Sequence, residues 1–186
     1  TKMARLLAHA KERGIKTSID VVSETGERFG RLVPPALRYT DYCIINEIEA
    51  SRSTGIQLRA EDGALIYENV KKVLSKLFEL GVSEWAVIHS PEGGFGMDKD
   101  GDYAECGLVY TPSGFIKGKV GAGDAFCAGV LSAAHRGLSL LDAVKLGNAA
   151  ATVSLRSPGA TEAMETIEET MRICSELGFE PVKLNK

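Results

Sequence analysis

Apolar and polar positions follow two different periods along this chain. Short runs rich in β-branched residues, typical of buried strands, cover residues 15–22, 42–45 and 84–89. Elsewhere, apolar residues recur every three or four positions, which indicates amphipathic helices over 1–13, 47–54, 62–80, 125–135, 140–155 and 162–177. Because strands and helices alternate, the pattern predicts an α/β fold with a mostly parallel sheet flanked by helices on both faces.

Two stretches depart from this alternation. Residues 90–96 carry a proline and three glycines, so we expect a turn there, with the alternating segments 95–98 and 103–110 forming an antiparallel hairpin. Residues 24–33 are compatible with one or two helical turns. Proline lacks a backbone N–H, so we expect these turns to stop at Pro34-Pro35.

Composition and charge narrow the class of protein. The 186 residues, 44% hydrophobic and 25% charged, fit a single α/β domain over 1–186 with its own core. The net charge of −3 and the lack of a basic cluster argue against nucleic-acid and membrane-surface partners. No apolar run is long enough to span a bilayer and no secretory signal is present, so we expect a cytoplasmic protein.

The four cysteines and the chain start carry two further expectations. Cys43, Cys106, Cys127 and Cys174 lie far apart without a Cys-x-x-Cys pair, which favours buried free thiols over disulfides or a zinc site. The chain opens inside a helix without an initiator methionine. We therefore expect the chain to begin within a longer protein.

The stretch with the clearest chemistry is Gly121-Ala122-Gly123-Asp124, directly before the apolar helix at 125–135. The first N–H groups of a helix lack internal partners and carry partial positive charge. Small residues would let an anion approach them, beside Asp124 as a potential general base. The alternative is that Asp124 merely caps the helix, which the spacing alone slightly favours.

Two standard nucleotide motifs are excluded at this stretch. Gly114 to Lys119 is one residue short of a P-loop, and Val120 stands where a serine or threonine would bind magnesium. Gly121-x-Gly123 lacks the third glycine of the dinucleotide fingerprint, because Phe126 occupies that position.

A second candidate site follows the strand at 42–45. Asn46 and Glu49 are three residues apart, so they share one face at the start of a helix. Their oxygens suit the water shell of Mg²⁺. An asparagine cap with Glu49 in a capping box explains the same spacing, and by spacing alone explains it better.

Residues 120–129, Val-Gly-Ala-Gly-Asp-Ala-Phe-Cys-Ala-Gly, resemble the C-terminal signature of the PfkB, or ribokinase-like, carbohydrate kinases. The family's second motif resembles Asn46-Glu47-Ile48-Glu49 at the right distance upstream. The resemblance covers nearly the whole chain and implies the catalytic half of a ribokinase-like fold, without the N-terminal half and its β-lid. It implies ATP- and Mg-dependent phosphorylation of a small-molecule sugar hydroxyl, and it allows for a homodimer of the complete protein.

The resemblance also implies a role for each candidate residue. Asp124 becomes the catalytic base, and Gly121, Ala122 and Gly123 form the anion hole. Asn46 and Glu49 organise magnesium and phosphate. The remaining positions implied to lie against the nucleotide are Ser90, Gly93 and Gly94 near the phosphates and Asn148 beside the base.

Two departures from the family pattern leave other classes open. Pro91 stands where a glycine is usual, and Gly118-Lys119 replaces the Asp-Thr that often helps to hold a monovalent cation. Either dependence on a monovalent cation is lost, or a lysine, Lys117 or Lys119, supplies the charge instead. The alternatives are a nucleotide-binding or regulatory relative without kinase activity, and another α/β enzyme that binds a phosphorylated metabolite.

Overall fold

A computed structural model describes residues 1–22 and 29–182 of the chain. The helices in this part are α1 (Lys2–Glu12), α2 (Phe29–Leu32), α3 (Pro34–Leu37), α4 (Glu47–Thr54), α5 (Val70–Glu79), α6 (Ala122–His135), α7 (Leu140–Ser154) and α8 (Ile167–Leu177). The strands are β1 (Ser18–Ile19), β2 (Tyr42–Asn46), β3 (Trp85–Ser90), β4 (Gly93–Asp98) and β5 (Tyr103–Cys106). A 3₁₀ turn at Tyr67–Asn69 precedes α5.

The strands form one sheet in the order β1-β2-β3-β4-β5. Strand β1 pairs in parallel with β2, with Ser18 opposite Tyr42 and Ile19 opposite Cys43. Strands β3 and β4 are neighbours joined by only two residues, 91 and 92, and so short a connection requires an antiparallel pair. The sheet is therefore mixed: β1 and β2 form a parallel pair, and antiparallel pairing begins at the turn where the sequence predicted a hairpin.

The chain divides into two compact units. The first comprises Thr1–Ile88 and Gly96–Tyr103, and the second comprises His89–Phe95 and the residues from Ala104 onward. A single domain over 1–186 stays a prediction.

The core of the first unit is built from β2 and one face of α5. Cys43, Ile44 and Ile45 are fully buried, because a strand covered on both sides is apolar at consecutive positions. The apolar positions of α5 recur at helical spacing and are buried, namely Val70, Val73, Leu74 and Leu77.

A buried carboxylate fixes the start of the first unit's sheet. Asp41, 3% exposed, accepts hydrogen bonds from Lys11 Nζ at 2.9 Å, the Thr17 N–H at 2.8 Å and Ser83 Oγ at 2.9 Å. Burial raises the pKa of Asp41, but these donors outweigh that effect and lower the pKa to about 2. The carboxylate therefore ties the residue before β1 to the residue before β2.

The second unit is organised around α6 and α7, which approach closely at glycines. A Cβ built on Gly129 would lie 2.7 Å from the Leu146 carbonyl oxygen. A Cβ on Gly147 would lie 2.9 Å from both Phe126 and Val130. Larger residues would force the two helices apart. Helix α8 completes this core with Cys174, which is buried beside Ala149 and Val153.

Several sequence predictions are confirmed by these elements. Helix α4 has the predicted bounds and ends at Gly55 in the left-handed conformation, with φ +75°. Helix α7 lies where the sequence placed it, whereas α6 begins three residues earlier than predicted, at Ala122. All four cysteines are buried, and none forms a disulfide. In the described part of the chain, no helix combines the length and apolarity required to cross a membrane.

Other boundaries differ for local reasons. The helix predicted over 62–80 begins only at Val70, because Arg59 and Leu65 form an antiparallel bridge around a turn at Gly63, where φ is +84°. The last helix begins at Ile167, because Thr166 caps it by accepting the Glu169 N–H.

The prediction for residues 24–33 is tested only in part. Helix α2 ends at Leu32, before the prolines, as predicted. Pro34 then begins a new helix, α3, since the first turn of a helix tolerates proline. Residues 24–28 of this prediction lie outside the described residues.

Asp41→Asn tests the buried carboxylate. The folded-state pKa of about 2 lies below the ordinary value of 3.8, so Asp41 stabilises the fold above about pH 4, and this contribution is lost as the pH falls toward 2. We expect the variant to lose about 2 kcal/mol of unfolding free energy at neutral pH. The unfolding free energy of the variant should then fall less than that of the wild type as the pH is lowered from 4 to 2. Urea unfolding over this pH range measures both quantities.

Glu79→Gln is the control, since it removes an exposed ion pair with Lys76 (2.7 Å) that contributes under about 0.5 kcal/mol. Equal stability losses in the two variants would contradict the special role of Asp41.

Candidate functional site

The first turn of α6 has an unusual start. Its N-cap is Gly121, with φ +80° in the left-handed region, and no side chain caps the helix. A Cβ at Gly121 would lie 2.7 Å from Ala160 Cβ and 2.9 Å from Ala160 Cα. Both the backbone conformation and the close packing therefore require glycine here.

This start leaves backbone donors available. The Ala122 N–H donates to the Lys119 carbonyl at 3.4 Å, and the Ala125 N–H donates to the Gly121 carbonyl at 2.8 Å. Between them, the N–H groups of Gly123 and Asp124 have no hydrogen-bond partner in the described ranges. Because the helix dipole adds partial positive charge, this turn suits an anion.

Asp124 is the third residue of α6, and its side chain is exposed. The capping alternative for Asp124 does not occur in this structure, because Gly121 holds the N-cap position and no side-chain cap is formed. The Asp124 carboxylate therefore lies in the first turn of α6 and makes no capping hydrogen bond to the described residues there. Its role as a catalytic base stays a prediction.

A cavity of about 350 Å³ opens beside this turn, within the second unit. Ala122 and Gly123 contribute to its wall, together with apolar side chains such as Ile116, Phe126 and Leu155. The volume lies in the range of small-molecule pockets. An anion-binding turn and a largely apolar cavity therefore adjoin each other.

Asn148 lies in the cavity wall and is 3% exposed. Its Nδ2 donates to the carbonyl oxygens of Cys106 and Gly107, each at 2.9 Å, which fixes the amide orientation because both neighbours are acceptors. The backbone thus uses both amide protons. Oδ1 accepts no hydrogen bond from the residues that the structure describes, so it remains available as an acceptor.

The turn between β3 and β4 contains the other predicted nucleotide contacts. Ser90 lies in the cavity wall beside Pro91; its Oγ donates to the Gly93 carbonyl at 3.3 Å and accepts the Glu92 N–H at 3.2 Å. Gly93 and Gly94 are buried. Added Cβ atoms would lie 2.6 Å from the Cys106 carbonyl oxygen and 2.7 Å from Val144 Cγ1, respectively. These glycines permit close packing of the turn, and their contact with a nucleotide stays a prediction.

The predicted magnesium residues form a complete capping box in the first unit. Asn46 Oδ1 accepts the N–H groups of Ile48 (3.0 Å) and Glu49 (2.9 Å), and Glu49 Oε2 accepts the Asn46 N–H at 3.0 Å. The capping interpretation of Asn46 and Glu49 is therefore confirmed. Across residues 1–22 and 29–182, no group of three or more histidine, cysteine, aspartate or glutamate side chains is arranged to hold a metal.

The sequence matches the family described as pfkB family carbohydrate kinase over residues 1–167. This match spans most of the chain. The chain belongs to the pfkB family.

Individual relatives agree with this assignment. The chain is 37% identical over 81 residues to a 2-dehydro-3-deoxygluconokinase of Bacillus subtilis, covering 39% of this chain and 24% of that protein. It resembles the structure of Arabidopsis thaliana ribokinase complexed with ribose and ATP, at a TM-score of 0.74 and 20% identity. It also resembles 2-dehydro-3-deoxygluconokinase of Thermotoga maritima, at a TM-score of 0.72 and 20% identity.

These structural matches show an α/β ribokinase-like fold with a mixed sheet flanked by helices. Each covers 92% of this chain, but only 51% of the Arabidopsis protein and 54% of the Thermotoga protein. The pfkB-family chain therefore spans about half the length of these structures.

The departure at Gly118 has a steric explanation. A Cβ there would lie 2.6 Å from Pro158 Cα and 2.8 Å from the Ser157 carbonyl oxygen. The backbone is held in place because the Lys117 and Gly118 N–H groups donate to the Leu155 carbonyl, at 2.7 and 3.4 Å. An aspartate cannot fit at position 118 on this backbone. Lys119, in contrast, lies in the cavity wall.

Sequence reasoning did not identify His89, the last residue of the strand predicted over 84–89, as part of the site. The ring lies in the cavity wall and packs on Phe126, with 4.9 Å between ring centroids. Burial lowers the pKa of His89 to about 4, so the ring is neutral at neutral pH. Its position directly before the Ser90 turn was the one signal in the sequence.

Glu49→Gln separates the metal role from the capping role. Glutamine at this position preserves a capping box but removes the charge. We expect the intact protein to need a several-fold higher magnesium concentration for half-maximal rate, with nearly unchanged thermal stability. Asn46→Ala should raise the magnesium requirement and also cost about 1 kcal/mol of stability.

Glu169→Gln is the matched control, since Glu169 is likewise the third residue of a helix. Unchanged magnesium titrations in both test variants, with a stability loss in Asn46→Ala, would leave capping as the sole role.

Proposed function

We propose that the protein catalyses ATP- and Mg-dependent transfer of the γ-phosphoryl group to a hydroxyl of a sugar or sugar derivative. The observation that carries this proposal is the open first turn of α6. It combines two unpartnered N–H groups, an exposed carboxylate at the third helical residue, and an adjoining cavity. Family membership supplies the reaction class.

In the proposed reaction, Asp124 accepts the proton of the acceptor hydroxyl as its oxygen attacks the γ-phosphorus. The new phosphorus–oxygen bond forms while the bond to the bridging oxygen breaks, and ADP leaves with that electron pair. The N–H groups of Gly123 and Asp124 stabilise negative charge on the moving phosphoryl group. Gly121 and Ala122 shape this anion hole.

Asn46 and Glu49 are proposed to contribute to the magnesium site in different ways. Both lone pairs of Asn46 Oδ1 are engaged in capping, so its contribution is to position Glu49. Glu49 carries a carboxylate, the kind of oxygen ligand that Mg²⁺ and its water shell prefer, and the same side chain accepts the Asn46 N–H at 3.0 Å. Glu49 therefore suits a water of hydrated Mg²⁺. When bound, the ion would neutralise charge on the nucleotide phosphates.

The cavity is proposed to hold the nucleoside. Its apolar wall suits a flat base, and Asn148 Oδ1 is an acceptor for the exocyclic amino group of adenine. Ser90 lies at the same cavity, and Gly93 and Gly94 shape the turn near the phosphates. The acceptor is proposed to be a small-molecule sugar.

We also propose that the protein is cytoplasmic and has no nucleic-acid or membrane partners, in keeping with its net charge of −3. Its 186 residues are proposed to act as one α/β domain, and the complete protein is proposed to form a homodimer.

A nucleotide-binding relative without turnover is the second candidate function, since Pro91 in the cavity wall has no N–H to offer a phosphate. ATP binding without phosphoryl transfer to any sugar would favour it.

Asp124→Asn tests the proposed base. The change preserves shape and the open N–H groups, so nucleotide affinity should stay within about threefold of the wild type. The kcat of the intact protein should fall at least about 100-fold, the usual scale for a lost general base. Steady-state kinetics and nucleotide titration measure the two effects.

Asp142→Asn provides a matched control, because Asp142 is also the third residue of its helix and is also exposed. Its kcat should stay within about twofold of the wild type. More than a tenth of wild-type activity in Asp124→Asn would show that Asp124 is not the base.

A further inference from the structure

The ring of His89 lies against the open first turn of α6. A Cβ built on Gly123 would lie 3.4 Å from His89 Cε1 and 3.7 Å from Nε2. The Cε1–Nε2 edge of the ring therefore faces the residue whose N–H group is unpartnered. The ring also packs on Phe126, three residues further along α6, with the two ring planes inclined at 37°.

His89 has no partner of its own. Neither ring nitrogen takes part in a hydrogen bond with the described residues. A neutral imidazole carries one donor and one acceptor, and because the His89 ring is only half-buried, neither nitrogen is enclosed. In a cavity wall, an imidazole that is reachable and has no protein partner among the described residues is placed to bind a ligand.

A second residue of the same wall leads to the same conclusion. Asn148 is nine-tenths buried or more, and its Oδ1 is also unpartnered among the described residues. Asn148 comes from α7 and His89 from β3, so two separate elements present unused polar atoms to one cavity. Such a cavity is built to receive a molecule with several polar groups.

The position of His89 decides which group of that molecule it meets. Its edge adjoins Gly123, where an anion would be held by N–H groups. A hydrogen bond from an N–H donor to a charged phosphate oxygen is stronger than one between neutral groups. Lys119 is the charged side chain among the described residues of the wall, and it adds a second attraction for the same anion.

We propose that His89 is a ligand-binding residue that donates a hydrogen bond from Nε2 to the phosphate held by the Gly123 and Asp124 N–H groups. This inference rests on the proposed function, because it takes the ligand to be a nucleoside triphosphate. It assigns to His89 the Nε2–H tautomer, in which Nδ1 is the acceptor. The Phe126 ring then keeps the donor aimed at the phosphate.

The test compares ATP with adenosine, which lacks phosphates, in two variants of the intact protein. His89→Leu retains an apolar contact with Phe126 but loses the donor, whereas His89→Gln retains an N–H donor. Loss of a hydrogen bond to a charged group should weaken ATP binding at least about tenfold in His89→Leu. His89→Gln should bind ATP within about threefold of the wild type. Adenosine affinity should stay within about threefold in both variants.

His135→Leu is the matched control, because His135 is an exposed histidine at the other end of α6, and its ATP affinity should not change. Thermal unfolding of each variant confirms that the fold is kept. Unchanged ATP affinity in His89→Leu, or an equal loss for ATP and adenosine, would overturn the inference. Should the wild-type protein bind no ATP, the proposed function fails and the inference with it.

Discussion

The unsatisfied start of helix α6 is the constraint on which the site depends. A glycine at the N-cap costs only a few tenths of a kcal/mol relative to a residue whose side chain caps the helix, and backbone packing on both sides of the loop requires glycine here. Gly121 packs against Ala160, and Gly118 packs against Pro158, so neither position can carry a side chain. The loop is therefore fixed in a path that leaves the N–H groups of Gly123 and Asp124 without a hydrogen-bond partner among the described residues. N–H groups left without a protein partner at a helix start can bind an anion, so the missing cap creates the candidate binding site.

Two helix starts that look alike in sequence are used differently. Asn46 and Glu49 satisfy the first turn of α4 by a capping box, so that helix start is complete without a ligand. At α6, a glycine occupies the N-cap, and the carboxylate three residues later is exposed. An acidic residue three positions after the N-cap occurs in both helices, so its spacing alone cannot distinguish these cases. What distinguishes them is whether the first residue has a side chain that can reach back to the N–H groups.

Much of the fold follows from local sequence. The bounds of α4 were predictable because Asn46 and Gly55 mark its two ends, and β2 was predictable from its run of apolar residues. The start of α5 was not predictable, because the helical spacing of apolar residues continues through the turn at Gly63. There the chain forms the Arg59–Leu65 bridge and not a helix. At the site, Asp124 and its glycines were visible as a motif. His89 was not, since its contacts with Gly123 and Phe126 join residues distant in sequence.

The central claim is that the open first turn of α6 binds the phosphates of the nucleotide. A crystal structure of the intact protein with a non-hydrolysable ATP analogue, which retains the γ-phosphate, tests it most directly. We expect a phosphate oxygen within about 3 Å of the backbone nitrogen of Gly123 or Asp124, and the adenine in the cavity beside Asn148. A nucleotide that binds with its phosphates directed away from α6, leaving both N–H groups to water, would contradict the account.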